Sequence, residues 1–242
     1  MAQLFEDERK YPDNKARQNF VFLGYPYSPA IPADDYKAVV NELQDELPVR
    51  LWYFLDEVTT AEMMRKIWRA ILRCDLAILD VSGGNPNVAF ELGLAVAQTK
   101  RCITLLKTGE PNPLGAADLG YAERVEYSSA ATLRERIRAF LLARSSALTL
   151  AYDVSYQLHD ANLVQTRDQL EQQIRRVLHK VFEAKRITKT GATTILGDAG
   201  LATTVLNKLR EHDVLQVEGQ KRGARWVFTD QWVHKDHEVA GT

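Results

Sequence analysis

The 242-residue sequence predicts an α/β protein, in which a flavodoxin-like (Rossmann-like) parallel sheet is followed by a small winged-helix domain. Three observations point there. Through the first 145 residues, short apolar runs alternate with amphipathic segments, and that order needs crossover connections, hence a mostly parallel sheet covered on both faces. Past residue 160 the order becomes three helices and then two short strands around a polar loop. The charge balance also shifts: residues 1–159 carry 18 basic and 21 acidic side chains, and the remainder 13 and 11.

After a polar arm over 1–19, FVFLG (20–24) reads as a strand buried on both faces. The segment 33–47 places Tyr36, Val39, Val40, Leu43 and Leu47 at helical spacing until Pro48 stops it. VRLWYFL (49–55) is the second strand, 61–73 the second helix, DLAILDV (75–81) the third strand, 86–99 the third helix and RCITLL (101–106) the fourth strand. A Pro/Gly loop then leads to a weak fifth strand near 123–127 and a helix over 131–144. The α/β domain is therefore expected over 20–145, with 146–160 as a linker for which a helix stays open. A winged helix-turn-helix is expected over 161–235, beginning with a long amphipathic helix (161–186). In TGATTILGDAGLATTVLNKLREHD, a short helix and a second helix flank an Ala-Gly-Leu turn at Gly200, and VLQV and RWVF follow around the loop EGQKRG.

Composition narrows the function classes. With 45% hydrophobic and 26% charged residues the chain is ordinary globular protein. No apolar run approaches the roughly 18 residues of a membrane span, and the first 19 residues are polar where a signal peptide carries its apolar core, so a cytoplasmic location and no membrane partner are expected. Cys74 and Cys102 are the only cysteines, which argues against a disulfide scaffold and a Cys-rich zinc site, and no metal or cofactor is expected. The five histidines are 159, 179, 212, 234 and 237, so chemistry in the first 158 residues must do without imidazole.

The most informative stretch is DVSGGNPNVAFELGLA (80–95), where the third strand hands over to the third helix. Ligands of open parallel sheets bind at the carboxyl ends of strands, which is where Asp80 and the Ser82-Gly83-Gly84 loop fall. Asn85 suits a helix N-cap and Pro86 the first helical position. Glu91 then lies on the face of Val88 and Ala95, and its neighbours Leu94 and Ala95 offer no cation. Such a carboxylate either reaches water at the helix edge, or has a raised pKa or a ligand to meet it.

FVFLGYP through NPNVAFELGLA resembles the nucleoside 2-deoxyribosyltransferase-like family and its relatives among bacterial TIR-like NAD-cleaving domains, over residues 20 to about 145. The shared signature is an Asp ending a strand, a small-residue loop, and a Glu followed by Leu-Gly. The resemblance implies cleavage of the bond between a base and a ribose, with NAD or a related nucleotide as substrate rather than cofactor. Glu91 would attack the anomeric carbon or stabilise an oxocarbenium-like transition state, and Asp80 would hold sugar hydroxyls or base, in the two-carboxylate logic of glycoside cleavage. Gly24, Tyr25 and Tyr27 of the first loop would hold the ligand, with Asp56 a further acidic candidate at the same rim. Ser82, Gly83, Gly84, Asn85 and Asn87 would approach ribose or phosphate at the helix N-terminus.

In the C-terminal module, a recognition helix from about Ala202 to His212 would expose Thr203, Thr204, Asn207, Lys208 and Arg210, while the wing presents Lys221, Arg222 and Arg225. Nucleic acid would be held mainly through phosphates. Winged helices also dock proteins, and Glu211, Asp213 and Glu218 close by keep that alternative open. A deoxyribosyltransferase-like domain joined to a winged helix resembles effectors of bacterial anti-phage systems, including those paired with retron reverse transcriptases. There the winged helix is expected to hold nucleic acid or a defence-system protein partner, and a homo-oligomer stays open. The competing expectation is a nucleotide-sensing DNA-binding regulator whose α/β domain does not cleave its ligand.

Overall fold

The computed structural model describes residues 15–26, 32–53, 61–111, 122–159, 166–220 and 223–236. Five strands, β1 (Phe20–Gly24), β2 (Arg50–Trp52), β3 (Leu76–Asp80), β4 (Arg101–Lys107) and β5 (Ala122–Tyr127), form one parallel sheet in the order β2-β1-β3-β4-β5. β1 and β3 are buried along their whole length, as the unbroken apolar runs FVFLG and LAILD require of central strands. The edges are blunted in two ways. β2 is only three residues long, shorter than the run 49–55 suggested, and β5 exposes the charged residues Glu123, Arg124 and Glu126.

Helices cover both faces, giving the doubly wound, Rossmann-like arrangement. On one face, α1 (Ala33–Glu46) and α4 (Ala130–Arg144) bury Tyr36, Val39, Leu43, Ile137 and Leu141 against Val21, Leu23, Leu76, Ile78, Ile103 and Leu105. On the other, α2 (Ala61–Arg73) and α3 (Pro86–Ala97) bury Ile67, Ile71, Val88, Leu92 and Ala95 against Phe20, Phe22, Ala77 and Leu79. The pleat explains the division: alternate residues of β3 point to opposite sides. Each side chain of the size of Leu or Ile removed from water contributes roughly 1.5–3 kcal/mol, so these two layers hold the sheet together.

The segment 146–160, expected as a linker with a helix open to it, is largely the helix α5 (Ser146–His159). Its start is tied to the sheet, because Asp75 accepts hydrogen bonds from the Ser146 amide (3.0 Å) and hydroxyl (3.1 Å). Ala147, Ala151, Val154 and Leu158 then enter a third core with α6 (Arg167–Ala184), α7 (Lys189–Leu196), α8 (Ala199–Glu211) and the antiparallel pair β6 (Leu215–Glu218) and β7 (Arg225–Phe228). Small and apolar residues at three- and four-residue spacing made that helix a packing element. The turn between α7 and α8 also differs from expectation. Gly197, at φ 78°, caps α7, and Asp198 accepts from the Leu201 amide at 2.6 Å, so Gly200 lies in the first turn of α8.

Residues 231–236 strap the two units together. Trp232 stacks on Phe228 (centroids 5.0 Å apart) in the third core, and the next residue, Val233, is buried beside Phe20 and Phe22 under the sheet. Asn19 clamps that residue: its Oδ1 accepts from the Val233 amide (2.9 Å), and its Nδ2 donates to the carbonyls of Val233 (2.9 Å) and Pro48 (3.1 Å). Residues 17–19, expected in a flexible arm, are therefore held, with Arg17 donating to the Arg73 carbonyl and Gln18 to that of Gln231. The expected residues 1–14 of the arm lie outside the described residues.

Candidate active site

The strand order reverses direction at β1: the chain passes from β1 outward to β2, then returns across the sheet to β3 on the other side. The crevice outside the carboxyl ends of β1 and β3 is where ligands of open α/β sheets bind. Gly24 ends β1 there, paired in register with Leu79.

Three local signals build the β3–α3 junction. Gly83 and Gly84 adopt φ 68° and 73°, conformations open to glycine at no steric cost, which lets the chain turn within the 3₁₀ segment Ser82–Gly84. Asn85 caps α3, its Oδ1 accepting from the amides of Asn87 (2.9 Å) and Val88 (3.4 Å), and Pro86 occupies the first turn. Asn85 thus spends its side-chain oxygen on the cap, whereas Asn87 is exposed at the helix start.

Glu91, in the second turn of α3, reaches across to the end of β1. Its Oε2 is out of contact with water and has no hydrogen-bond partner. A Cβ on Gly24 would stand 2.7 Å from that oxygen, so the glycine is what leaves room for the carboxyl group. Burial alone pushes the Glu91 pKa up to about 8. Below that pH the group is a neutral carboxylic acid, and among the described residues no cation pairs with it.

Asp80 is placed differently from the expectation that it shares a site with Glu91. It is fully buried, and it follows Leu76 and Ile78 on the α1/α4 side of the sheet, whereas Leu79 and α3 lie on the other. Both its oxygens are occupied. Oδ1 accepts from the Ser82 amide (3.0 Å) and hydroxyl (2.5 Å), and Oδ2 accepts from the Tyr127 hydroxyl (2.5 Å). Burial raises the Asp80 pKa, and the bonds from Ser82 and Tyr127 oppose that rise. Tyr127 is held well above its ordinary pKa by burial and by the Asp80 charge, so it stays the donor. Ser82 is equally enclosed and its Oγ accepts from the Lys107 amide (2.7 Å), stitching the turn to β4.

Around the same rim, the Tyr25 ring packs on Tyr36 (centroids 4.1 Å apart), and the Tyr36 hydroxyl lies 3.3 Å from that of Tyr127. Tyr36 and Tyr127 were missed as site residues. Tyr36 read as one more apolar-stripe position, and Tyr127 closes a strand of weak pattern whose partner, Asp80, precedes it by 47 residues. Tyr27 and Asp56 lie outside the described residues.

In the C-terminal unit, the expected contact residues of α8 are partly engaged already. The hydroxyls of Thr203 and Thr204 donate to the carbonyls of Ala199 (2.8 Å) and Gly200 (3.1 Å). Lys208 pairs with Glu211 at 2.7 Å, and the Arg210 guanidinium sits over the Trp226 ring, 5.9 Å from its centroid. Asn207 is partly exposed, and Arg225 is exposed on β7 opposite Glu218. Lys221 and Arg222 lie outside the described residues. Among the described residues no helix is long and apolar enough to cross a membrane. No protein-family model matches the sequence, and no curated protein matches it either.

Proposed function

We propose that this chain is an N-glycosidase that cleaves the base–ribose bond of NAD or a related nucleotide, with Glu91 as the group that meets the sugar. The observation that carries the reading is the Glu91 carboxyl, held without a partner against Gly24 at the reversal point of the sheet. As the glycosidic bond breaks, positive charge develops on the ribose ring, and a carboxylate in a site shielded from water stabilises that charge far more than it would in bulk solvent. A neutral acid that passes its proton to water or to the departing base as the charge develops becomes the carboxylate that the transition state needs, and so stabilises it more than the ground state. Gly83 and Asn87, both exposed at the turn, would frame the sugar or phosphate, while Ser82 is enclosed beneath them, and Tyr25 would offer its ring to the base. The sheet order supports the flavodoxin-like assignment within the doubly wound class.

The C-terminal unit is a winged helix in this reading. Support comes from the succession α6, α7, α8, β6, β7 and from the bridge between Ile187 and Trp226, which supplies the short third strand of such domains. It would gate the glycosidase through nucleic acid or a protein partner, as in an anti-phage effector, with Arg225 exposed for phosphate while Lys208 of α8 is already paired with Glu211. The test is product analysis: purified full-length protein incubated with NAD, nucleoside monophosphates and deoxynucleotides, with released base resolved by chromatography, beside Glu91→Gln. Base released from one of these by the parent and not by the folded variant upholds the proposal, and no release from any of them rejects it.

A second reading, a nucleotide sensor that does not cleave, is favoured by one observation. Asp80 has no oxygen left for a ligand, so Glu91 stands as a single carboxyl rather than half of a pair. Nucleotide binding without base release would select it.

A further inference from the structure

Beneath the candidate site, a chain of buried polar groups crosses the carboxyl edge of the sheet. It runs from Tyr36 on α1 to Tyr127 at the end of β5, on to Asp80 at the end of β3, and through Ser82 to the Lys107 amide at the end of β4. Tyr36 and Asp80 are fully enclosed, and Ser82 and Tyr127 nearly so. Three donors converge on one carboxylate, which satisfies a charge that burial alone would expel. Removing the Tyr127 hydroxyl leaves the buried Asp80 Oδ2 unpaired, a change that costs more than the bond's net worth, whereas Oδ1 has two donors from Ser82.

The position of this cluster gives it a consequence for Glu91. Ser82 opens the turn whose Gly83 and Gly84 lead into the Asn85 cap, and that cap sets where α3 begins and which way it points. Glu91 comes less than two turns later, and at that register its Oε2 lies where a Cβ on Gly24 would stand 2.7 Å away. We propose that Tyr127 is a positioning residue of the site: by donating to Asp80 it fixes the Ser82–Gly84 turn and so holds the Glu91 carboxyl in its dry seat at the end of β1. This rests on the assignment of Glu91 as the functional group made above, and it adds a residue that touches no substrate. It also makes the site sensitive to acid through Asp80, which must be ionised to accept from Tyr127 and Ser82 together. The groups facing Asp80 are Ser82, Tyr127 with Tyr36 behind it, and the more distant Lys107 charge.

The test is Tyr127→Phe in the full chain, which keeps the ring and removes the donor. With glutamate labelled at its carboxyl carbon, the Glu91 resonance is assigned by its loss in Glu91→Gln and then titrated. If Tyr127 acts through the turn, the Glu91 midpoint in Tyr127→Phe falls by about one pH unit or more as water reaches the carboxyl. In the cleavage assay, kcat falls at least about tenfold with KM changed much less, and the acid limb moves to higher pH because Asp80 has lost a donor. A folded Tyr127→Phe protein with an unmoved Glu91 midpoint overturns the proposal. Should that variant fail to fold, Ser82→Ala removes another donor to the same carboxylate, and the same two outcomes decide. The titration needs no turnover, so an absence of cleavage in the parent rejects the glycosidase reading and leaves the positioning of Glu91 to be decided by the resonance.

Discussion

Replacing Glu91 by Gln should stabilise this protein in alkali and do little in acid. The carboxyl is seated where burial lifts its pKa from 4.5 to about 8, and no hydrogen bond or cation offsets that burial. The folded state therefore binds the proton more tightly than the unfolded chain does, and stability falls as pH rises through the window between the two values. The loss begins near pH 4.5 and levels off above about 8. One pKa unit corresponds to about 1.36 kcal/mol, so between pH 5 and pH 9 this one group lowers the folding stability by about 4 kcal/mol. Gln keeps the shape and has no charge to develop. Urea unfolding of parent and variant at pH 5 and pH 9 measures the difference directly: near equality at pH 5, and the variant ahead by several kcal/mol at pH 9. A difference that stays constant across this range would refute the reasoning, since it would mean that Glu91 ionises as readily folded as unfolded.

Other consequences are equally specific. Gly24→Ala puts a methyl group within 2.7 Å of Glu91 Oε2, so the side chain must swing away. Cleavage should drop about 10²-fold while unfolding stability changes by less than about 2 kcal/mol, and an unchanged rate would show that the seat beside β1 is not the working position. Asn19→Ala strips both backbone groups of Val233 and the Pro48 carbonyl of their partner. The expected cost is about 2–4 kcal/mol in urea unfolding, with limited proteolysis cutting sooner near residue 231, and a loss below about 0.5 kcal/mol would mean water replaces the clamp. If the C-terminal unit binds nucleic acid, changing Lys221, Arg222 and Arg225 to Ala should flatten the salt dependence by about one unit of slope for each phosphate left without its cation. Lys208→Ala should matter far less because Glu211 already holds that ammonium group, and equal effects from both would contradict the assignment to the wing.

What could be read from the sequence follows the range of the interactions involved. FVFLG and LAILD announce central strands because burial on both faces leaves no polar position, and Asn85-Pro86 announces a helix start because capping is settled within four residues. The absence of a cation beside Glu91 on its own helix was legible for the same reason: the positions three and four residues away hold Asn87, Val88, Leu94 and Ala95. The distant relations were not legible. That Glu91 would rest on Gly24, 67 positions earlier, or that Asn19 would grip Val233, depends on how layers pack and leaves no local pattern. Asp80 shows the limit most clearly. A carboxylate at a strand end beside glycines reads as a ligand group, and only the register of β5 along β4 brings Tyr127 to its second oxygen. The start of α8 was misplaced because Gly200 has the composition of a turn residue, whereas Gly197 in its left-handed conformation and the Asp198 cap set the boundary.

In the free protein one oxygen of the Glu91 carboxyl is kept from water and from hydrogen-bond partners, and on this account that isolation lasts until a ligand arrives. Carbon-13 titration of the Glu91 side chain in the full-length protein, alone and with NAD or a nucleoside monophosphate present, tests it most directly. The expected result is a midpoint near 8 in the free protein and a midpoint displaced by the nucleotide that is cleaved or bound. A free-protein midpoint near the ordinary 4.5, unmoved by any nucleotide, would contradict it.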